Sequence, residues 1–223
     1  MMRELCKYID HTCLKPFSQD KDIIKLCSEA AEYHFASVCV NPCDVPLAKK
    51  LLTGSDVAVC TVIGFPLGKN SSDIKVAETL KAKEDGCDEF DMVINVGWLK
   101  DQKYELIQKE ISSVVGAAGD RIVKVILETG LLTDDEIVKA VKISCDSGAK
   151  FVKTCTGFSD GKATAHAVKL MKQSVSGGVL VKASGGIRTY IDAVTIIEAG
   201  ADRLGTSSGV AIIRESKQAY GGK

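Results

Sequence analysis

Eight short apolar runs that alternate with helical segments predict an α/β fold, a single (β/α)₈ TIM barrel, for the 223-residue chain. A second observation is a repeated spacing, in which glycines that end helices stand five residues before a residue of special type. No linker or low-complexity stretch divides residues 1–223, so we expect one domain. A doubly wound open sheet is the alternative because alternation alone does not prove closure, although no GxGxxG follows any strand.

The strand candidates are short runs rich in β-branched and other apolar residues. In chain order they read YIDHT, SVCVN, VAVCTVIG, EFDMVIN, IVKVILE, KFVKT, VLVKAS and DRLGT. Their number is the number of strands that closes a barrel of this kind.

The segments between the strands carry helix signals. TDDEIVKAVKISCDSG opens with Thr133 three residues before Glu136, which is a capping box, and it closes on Gly148. SSDIKVAETLKAKEDG and KATAHAVKLMKQSVSG follow the same plan. A closing glycine suits a left-handed helix C-cap, and the short link to the next strand is typical of an αβ loop.

The repeated spacing gives several strands one register. GCDEFD ends at Asp91, GAKFVK at Lys153, GGVLVK at Lys182 and GADRLG at Gly205. Strand C-termini and the loops after them form the active face of such a barrel, so we expect the chemistry there. The polar residues and cysteine at these ends are Asp10, Cys39, Asn41, Asp91, Asn95, Glu128, Lys153 and Lys182.

Two lysines in one register, with an aspartate on a third strand, indicate a catalytic site. A single lysine there could instead extend to solvent at the barrel mouth. Two adjacent ammonium groups disfavour each other's charge, so one amine can become a neutral nucleophile that forms a Schiff base. Asp91 would transfer protons or hold the second ammonium. The residues alone do not decide between Lys153 and Lys182, and Lys124 is a third candidate expected deeper in the barrel.

The loops after the last two strands indicate a phosphate site. KASGGIR and GTSSG expose backbone amides through glycine and short side chains, at the usual position for phosphate in these barrels. We therefore expect a small phosphorylated substrate. GFSDGKA is one residue too short for a Walker loop and lacks the hydroxyl residue after lysine, so we expect no ATP.

Composition excludes other classes of partner. The 29 basic residues are cancelled by 29 acidic residues, which argues against nucleic-acid binding. The apolar runs are strand-sized and the start MMRELCKYID is too charged for a secretory signal, so we expect no membrane association and a cytoplasmic protein. The nine cysteines are scattered without a CxxC pair, so we expect reduced thiols, no metal and no cofactor.

The motifs together resemble the deoxyribose-phosphate aldolases. The likeness runs through IDHTCLKP, SVCVNP, TVIGFPLG, EFDMVINVG, KVILETGLL, FVKTCTGF, VKASGGIR and LGTSSG, which span nearly the whole chain. The resemblance implies a class I aldolase of nucleoside catabolism that reversibly cleaves 2-deoxy-D-ribose 5-phosphate to acetaldehyde and D-glyceraldehyde 3-phosphate. It implies that Lys153 forms the imine, that Lys182 assists and that Asp91 relays protons.

The resemblance also implies the substrate contacts and a homodimer. The residues that match the family's phosphate contacts are Gly157, Gly185, Gly186, Ser207 and Ser208, and its cysteine near the substrate matches Cys39. Some members end in a tyrosine that assists catalysis, but this chain ends QAYGGK, so Tyr220 matches only by rough position and is not assigned to the site.

Two other functions share these features. A phosphosugar isomerase or epimerase would keep the barrel and phosphate loops but would need a carboxylate or histidine base, and two of the three histidines lie in helical segments. A non-catalytic protein that binds phosphorylated metabolites would keep the loops and would not need Lys153. Trapping of an imine by borohydride separates the three.

The register also predicts a contact below the catalytic residues. If Asp91 and Gly205 point into the barrel, period-two alternation points Glu89 and Arg203 inward one layer lower. The two lie on alternate strands, which share layers, so we expect a buried ion pair between them. A bulge that turns one of them outward is the alternative.

Overall fold

The computed structural model describes residues 5–220 and contains one closed barrel of eight parallel strands in sequence order. The first strand pairs with both the second and the eighth, so the sheet has no free edge and the open-sheet alternative is excluded. The strands are β1 Ile9–Cys13, β2 Ser37–Val40, β3 Ala58–Ile63, β4 Glu89–Val93, β5 Ile122–Ile126, β6 Phe151–Lys153, β7 Leu180–Ser184 and β8 Arg203–Thr206.

Helices follow the strands and surround the barrel. They are α1 Asp20–Tyr33, α2 Val45–Leu51, α3 Ser72–Glu84, α4 Val96–Lys100, α5 Tyr104–Ala118, α6 Asp134–Asp146, α7 Ala165–Ser174, α8 Tyr190–Glu198 and α9 Gly209–Tyr220. Short 3₁₀ turns cover Pro42–Asp44 and Thr129–Leu131. The side chain of Tyr220 and the residues after it lie outside the described part of the chain. Among residues 5–220, no helix combines the length and the apolar character that crossing a membrane would require.

The helix ends predicted from the sequence are confirmed for α6 and, at its C-terminus, for α3, whereas α7 ends at Ser174 with an extended C-cap at Val175, before Gly177. Thr133 accepts a hydrogen bond from the Glu136 backbone N–H, and the Glu136 carboxylate accepts one from the Thr133 backbone N–H, which completes the capping box of α6. Gly86 and Gly148, which precede β4 and β6, have φ of 95° and 86°. That conformation is left-handed and favours glycine, so each helix stops and the chain turns into the next strand.

The apolar core lies between the barrel wall and the helices. Leu, Ile, Val and Ala side chains fill this ring, as in the fully buried Ile63, Val125 and Ile107. The interior of the barrel contains charged side chains instead. In the ladder, Asp91 is opposite Lys124, and Lys182 is opposite both Lys153 and Arg203, so charged residues of neighbouring strands share layers inside the barrel.

Candidate active site

Strands β4, β6 and β7 bring the three predicted catalytic residues together. Lys153 Nζ lies 2.8 Å from Asp91 Oδ2, and Lys182 Nζ lies 2.7 Å from the same oxygen. All three side chains are buried. Because both amines contact one oxygen, they lie within two hydrogen-bond lengths of each other, which confirms the predicted proximity of Lys153 and Lys182.

A third lysine occupies the other oxygen of the same carboxylate. Lys124 Nζ on β5 donates to Asp91 Oδ1 at 2.9 Å and to Cys60 Sγ at 3.2 Å. Lys124 precedes the register position of Lys153 and Lys182 in its strand and lies deeper, as expected from the sequence. Asp91 therefore contacts three ammonium groups, and Cys60 is a contact that the sequence did not indicate.

A second carboxylate holds Lys182 from the opposite side. Asp10 Oδ2 on β1 lies 2.5 Å from Lys182 Nζ, and Asp10 Oδ1 accepts a hydrogen bond of 2.7 Å from Arg203 Nε. The sequence placed Asp10 at a strand end but gave no partner for it. Lys182 is thus bridged between two carboxylates, Asp10 and Asp91.

The predicted ion pair below the catalytic layer is confirmed. Arg203 Nη2 lies 3.1 Å from Glu89 Oε2, with the side chains 13% and 6% exposed. Glu89 Oε2 also lies 2.6 Å from Lys124 Nζ. The pair therefore supports the catalytic residues through intermediates: Glu89 reaches Asp91 through Lys124, and Arg203 reaches Lys182 through Asp10.

These contacts determine which groups keep their charge. Burial raises the pKa of Asp91, but the ammonium groups of Lys124, Lys153 and Lys182 outweigh burial and hold that pKa well below its ordinary value. Burial lowers the pKa of Lys182, yet Asp10 and Asp91 overcome it and the pKa is raised. The pKa of Lys124 is raised in the same way despite burial, and Asp91 contributes most to this rise.

The buried cluster contains more basic than acidic groups. The members are Asp10, Glu89, Asp91, Lys124, Lys153, Lys182 and Arg203. Three carboxylates face four basic side chains, so the cluster becomes neutral when one base loses a proton. Lys124, Lys182 and Arg203 each contact two carboxylates, whereas Lys153 contacts only Asp91 within the described residues. Lys153 is therefore the member whose proton is held by the fewest anions.

A cavity of about 550 Å³ opens above this cluster at the C-terminal ends of the strands. Lys153 is the one of the three barrel lysines that lines it. Four of the five predicted phosphate contacts also line it, namely Gly157, Gly185, Gly186 and Ser207. Ser208 does not line the cavity, and its backbone N–H donates to Thr206 Oγ1 at 2.9 Å as α9 begins.

The phosphate loops require glycine for their backbone conformation. Gly185 and Gly186 have φ of 99° and 80°, in the left-handed region. The two loops lead into α8 and α9, whose N-termini carry partial positive charge. Anionic groups are favoured at such positions.

The other strand-end residues have positioning roles. Glu128 accepts hydrogen bonds from Thr156 Oγ1 at 2.5 Å and from the Thr156 backbone N–H at 3.2 Å, which fixes the loop that leads to Gly157. Asn95 accepts a bond of 3.3 Å from the Trp98 N–H at the start of α4. Asn41 precedes the first 3₁₀ turn. None of these three residues contacts the charged cluster.

Cys39 lies in the buried layer beside Cys60 and does not line the cavity. A hydrogen bond with Cys60 lowers the pKa of the Cys39 thiol, while burial opposes the change. The sulfur atoms of Cys39 and Cys60 and one oxygen of Asp91 lie within 4.8 Å of one another. Three ammonium groups surround that carboxylate, so the field disfavours a metal cation there. All nine cysteines are free thiols.

His11 is a cavity residue that the sequence did not indicate as part of the site. His11 on β1 is 3% exposed, lines the cavity and contacts Glu29 Oε2 on α1 at 2.8 Å. The histidine lies on a strand next to Asp10, so the period-two alternation turns it away from the barrel interior towards the helices. His34 and His166 are exposed and lie in helical segments, as expected.

Comparisons with known proteins identify the family of this chain. The model of the DeoC/LacD family aldolases matches residues 5–219. The chain is 56% identical over 218 residues to a deoxyribose-phosphate aldolase of Macrococcus caseolyticus, covering 97% of this chain and 99% of the relative. It is 54% identical over 215 residues to that of Clostridium tetani, covering 96% of this chain and 100% of the relative.

A solved structure shows the same relationship. The deoxyribose phosphate aldolase of Aeropyrum pernix, described as tetrameric, is 35% identical with a TM-score of 0.89, covering 98% of this chain and 93% of that chain. The resemblance identified from the sequence motifs is thereby confirmed, and the isomerase and non-catalytic alternatives are excluded. The chain belongs to the DeoC/LacD family of aldolases and is a carbon–carbon lyase.

Proposed function

We propose that this protein is a class I aldolase that reversibly cleaves 2-deoxy-D-ribose 5-phosphate to acetaldehyde and D-glyceraldehyde 3-phosphate through an imine on Lys153. The observation that carries the proposal is the position of Lys153, which lines the cavity while its amine contacts Asp91. Lys182 is fully buried beneath it between two carboxylates, so it supplies charge and not a nucleophile.

The arrangement suits imine chemistry. Lys153 must lose a proton before its amine attacks the aldehyde carbon, and Asp91, 2.8 Å away, is placed to relay that proton to solvent. The carbinolamine then loses water to give an iminium ion. A base takes the proton of the β-hydroxyl, whose oxygen becomes the carbonyl of D-glyceraldehyde 3-phosphate as the adjacent carbon–carbon bond breaks, and the electron pair of that bond forms an enamine on Lys153. D-glyceraldehyde 3-phosphate then leaves. Protonation of the enamine carbon and hydrolysis release acetaldehyde.

The charge balance of the cluster explains why Lys153 is the nucleophile. Loss of its proton leaves three carboxylates opposite three fixed cations. The neutral amine is then stable in a buried site, because no uncompensated charge remains. The ammonium of Lys182 stays beside it on Asp91 Oδ2.

The phosphate end of the substrate would bind the loops that precede α8 and α9. Gly185, Gly186 and Ser207 bring backbone amides and one hydroxyl to the cavity wall. Such backbone amides recognise an anion, and Arg188 of the same loop brings a side-chain cation to the cavity wall. Binding energy from the phosphate would then hold the aldehyde at Lys153.

Borohydride reduction tests the proposal. Incubation with 2-deoxyribose 5-phosphate and borohydride should leave a reduced two-carbon or five-carbon adduct on Lys153, seen by peptide mass spectrometry, with loss of activity. A Lys153→Arg variant is the control and should give no adduct. An adduct on Lys182, or none with wild-type protein that turns over substrate, would contradict the proposed mechanism.

Two further expectations from the sequence belong to this proposal. We propose a cytoplasmic homodimer. The Aeropyrum pernix relative is described as a tetramer, so the measured mass decides between a dimer and a tetramer for this chain. Light scattering after size exclusion gives the mass directly, with a chain mass of 23.8 kDa as the unit.

A further inference from the structure

A second buried ion pair lies outside the barrel, away from the catalytic cluster. Lys75 of α3 and Glu110 of α5 are both fully buried, and Lys75 Nζ lies 2.8 Å from Glu110 Oε1. Burial lowers the pKa of Lys75 and raises that of Glu110, which shows that removing both charged groups from water is unfavourable. The proposed reaction does not use either group.

The ammonium of Lys75 holds two backbone segments. It donates to the carbonyl of Gly68 at 2.9 Å and to the carbonyl of Val93 at 2.8 Å. The partner carboxylate, through Glu110 Oε2, accepts a bond of 3.3 Å from the Asn95 backbone N–H. The pair therefore joins the middle of the β3–α3 loop, at Gly68, to the C-terminal end of β4, at Val93 and Asn95.

The stem of Lys75 also supports the start of the same loop. A methyl group placed on Gly64 would lie 2.6 Å from Lys75 Cε, so the loop backbone rests directly on this side chain. The N–H of Gly64 is bound by Glu78 Oε2 at 2.7 Å, and the N–H of Gly68 donates to the carbonyl of Gly64 at 2.8 Å. Residues 64–68 are thus held at both ends.

The loop delivers one aromatic side chain to the active face. Phe65 packs against the cluster that contains Leu14 and Cys39. Its ring also meets the ring of Phe158 edge to face, with centroids 5.1 Å apart. Leu14 and Phe158 line the cavity with Lys153. The position of this apolar wall therefore depends on the position of residues 64–68.

We propose that Lys75 and Glu110 are positioning residues for the aldolase reaction: they fix the β3–α3 loop so that Phe65 braces the apolar wall of the cavity beside Lys153. The inference rests on the proposed reaction at Lys153. The two residues act through Phe65 and the exit of β4, and neither touches the reacting atoms. A misplaced wall loosens the fit of the aldehyde in the transition state and lowers kcat.

If Lys75 and Glu110 had a purely structural role, replacing them would affect only stability. A double substitution that removes both charges distinguishes this role from a positioning role. Lys75→Met with Glu110→Gln keeps the volumes, leaves no buried unpaired charge and removes the donors to Gly68 and Val93. We expect kcat for 2-deoxyribose 5-phosphate to fall at least about tenfold, with KM within about threefold, because the phosphate loops are untouched. Hydrogen exchange at the Gly68 amide should accelerate.

The chain offers a control for the chemical change itself. Lys172 Nζ and Asp202 Oδ2 form an ion pair of 2.7 Å at the opposite end of the barrel, with the side chains 39% and 28% exposed. Lys172→Met with Asp202→Asn replaces the same charged groups there and should leave kcat and Gly68 exchange unaltered.

The results that overturn the proposal are specific. A Lys75→Met/Glu110→Gln variant with kcat within about twofold of wild type would remove the positioning role. If that variant does not fold, Phe65→Ala decides, since it leaves the ion pair intact: a tenfold loss of kcat upholds the role of the loop, and unchanged kcat overturns it. Borohydride trapping on wild-type protein tests the proposed function separately. If nothing is trapped, Gly68 exchange alone decides whether the pair holds the loop.

Discussion

Glu89 and Arg203 face each other inside the barrel, with Arg203 Nη2 3.1 Å from Glu89 Oε2, and connect the floor of the barrel to the catalytic lysines. Arg203 also bonds Asp10, and Glu89 also bonds Lys124. Each carboxylate thus keeps a lysine partner when the arginine is removed.

We expect Arg203→Met to destabilise the protein by about 3 kcal/mol, the low end of the range for breaking a buried pair, because Asp10 and Glu89 each keep one lysine. Urea unfolding monitored by circular dichroism measures this change. Replacing the exposed Lys7, whose pair with Asp56 is half in solvent, should cost less than about 1 kcal/mol and is the control. An Arg203→Met variant as stable as wild type would show that the pair contributes nothing.

The second prediction concerns the assisting lysine. Lys182→Met removes the ammonium that shares Asp91 Oδ2 with Lys153, so Asp91 loses one of the cations that hold it charged beside the reacting amine. We expect kcat to fall about a hundredfold or more and KM to change little, since the phosphate loops are unaffected. Steady-state kinetics measure both constants, and a Lys182→Met variant with wild-type kcat would show that Lys182 has no electrostatic role.

The third prediction tests the phosphate loops with an isosteric pair of variants. Ser207→Asp places a negative charge on the cavity wall, where it repels a phosphate dianion. We expect KM for 2-deoxyribose 5-phosphate to rise at least about tenfold, with little effect on unphosphorylated 2-deoxyribose. Ser207→Asn has nearly the same shape without the charge and should have a much smaller effect. Equal losses for both sugars would argue against a phosphate site at this loop.

The fourth prediction concerns stability in acid. Despite burial, which raises the pKa of both groups, the cations around Asp10 and Asp91 hold the pKa of each carboxyl below its ordinary value. The folded protein therefore binds fewer protons than the unfolded chain, and the stabilisation is present above about pH 4 and lost as pH falls below it. Urea unfolding at pH 6, 4 and 3 should show this loss.

Two variants check the origin of that acid sensitivity. Asp10→Asn should lower stability at pH 6 and flatten the decline between pH 4 and 3, because one of the two depressed carboxyls is gone. Asp146→Asn changes an exposed carboxyl at the end of α6 and should leave the decline as it is. If the free energy of unfolding of the Asp10→Asn variant fell as steeply between pH 4 and 3 as that of wild type, the acid sensitivity would come from groups other than Asp10.

Much of the site was predictable because it depends on short-range regularities. A capping glycine, a strand of fixed length and period-two alternation together determine which way Asp91, Lys153 and Lys182 point. The same register gave the contact between Glu89 and Arg203. These inferences need only the spacing within each βα unit and the closure of the barrel.

The partners of those residues were less predictable. Asp10 and Lys124 reach their contacts through side-chain length across the barrel, which a register does not specify. The pair of Lys75 and Glu110 depends on how two helices pack, and the sequence of neither helix indicates its partner. Ser207 lines the cavity and Ser208 does not, a difference between neighbouring residues at the start of α9 that the motif GTSSG does not reveal.

The charged interior of the barrel has a consequence for enzyme design. Seven ionisable side chains from six strands share one network, in which each cation is held by the carboxylates around it. Grafting Lys153 and Asp91 alone onto another barrel would carry over a nucleophile and its contact without the groups that set the charge of both. A design that needs this amine to be reactive in another barrel therefore has to include the deeper charged residues together with those at the C-terminal ends of the strands.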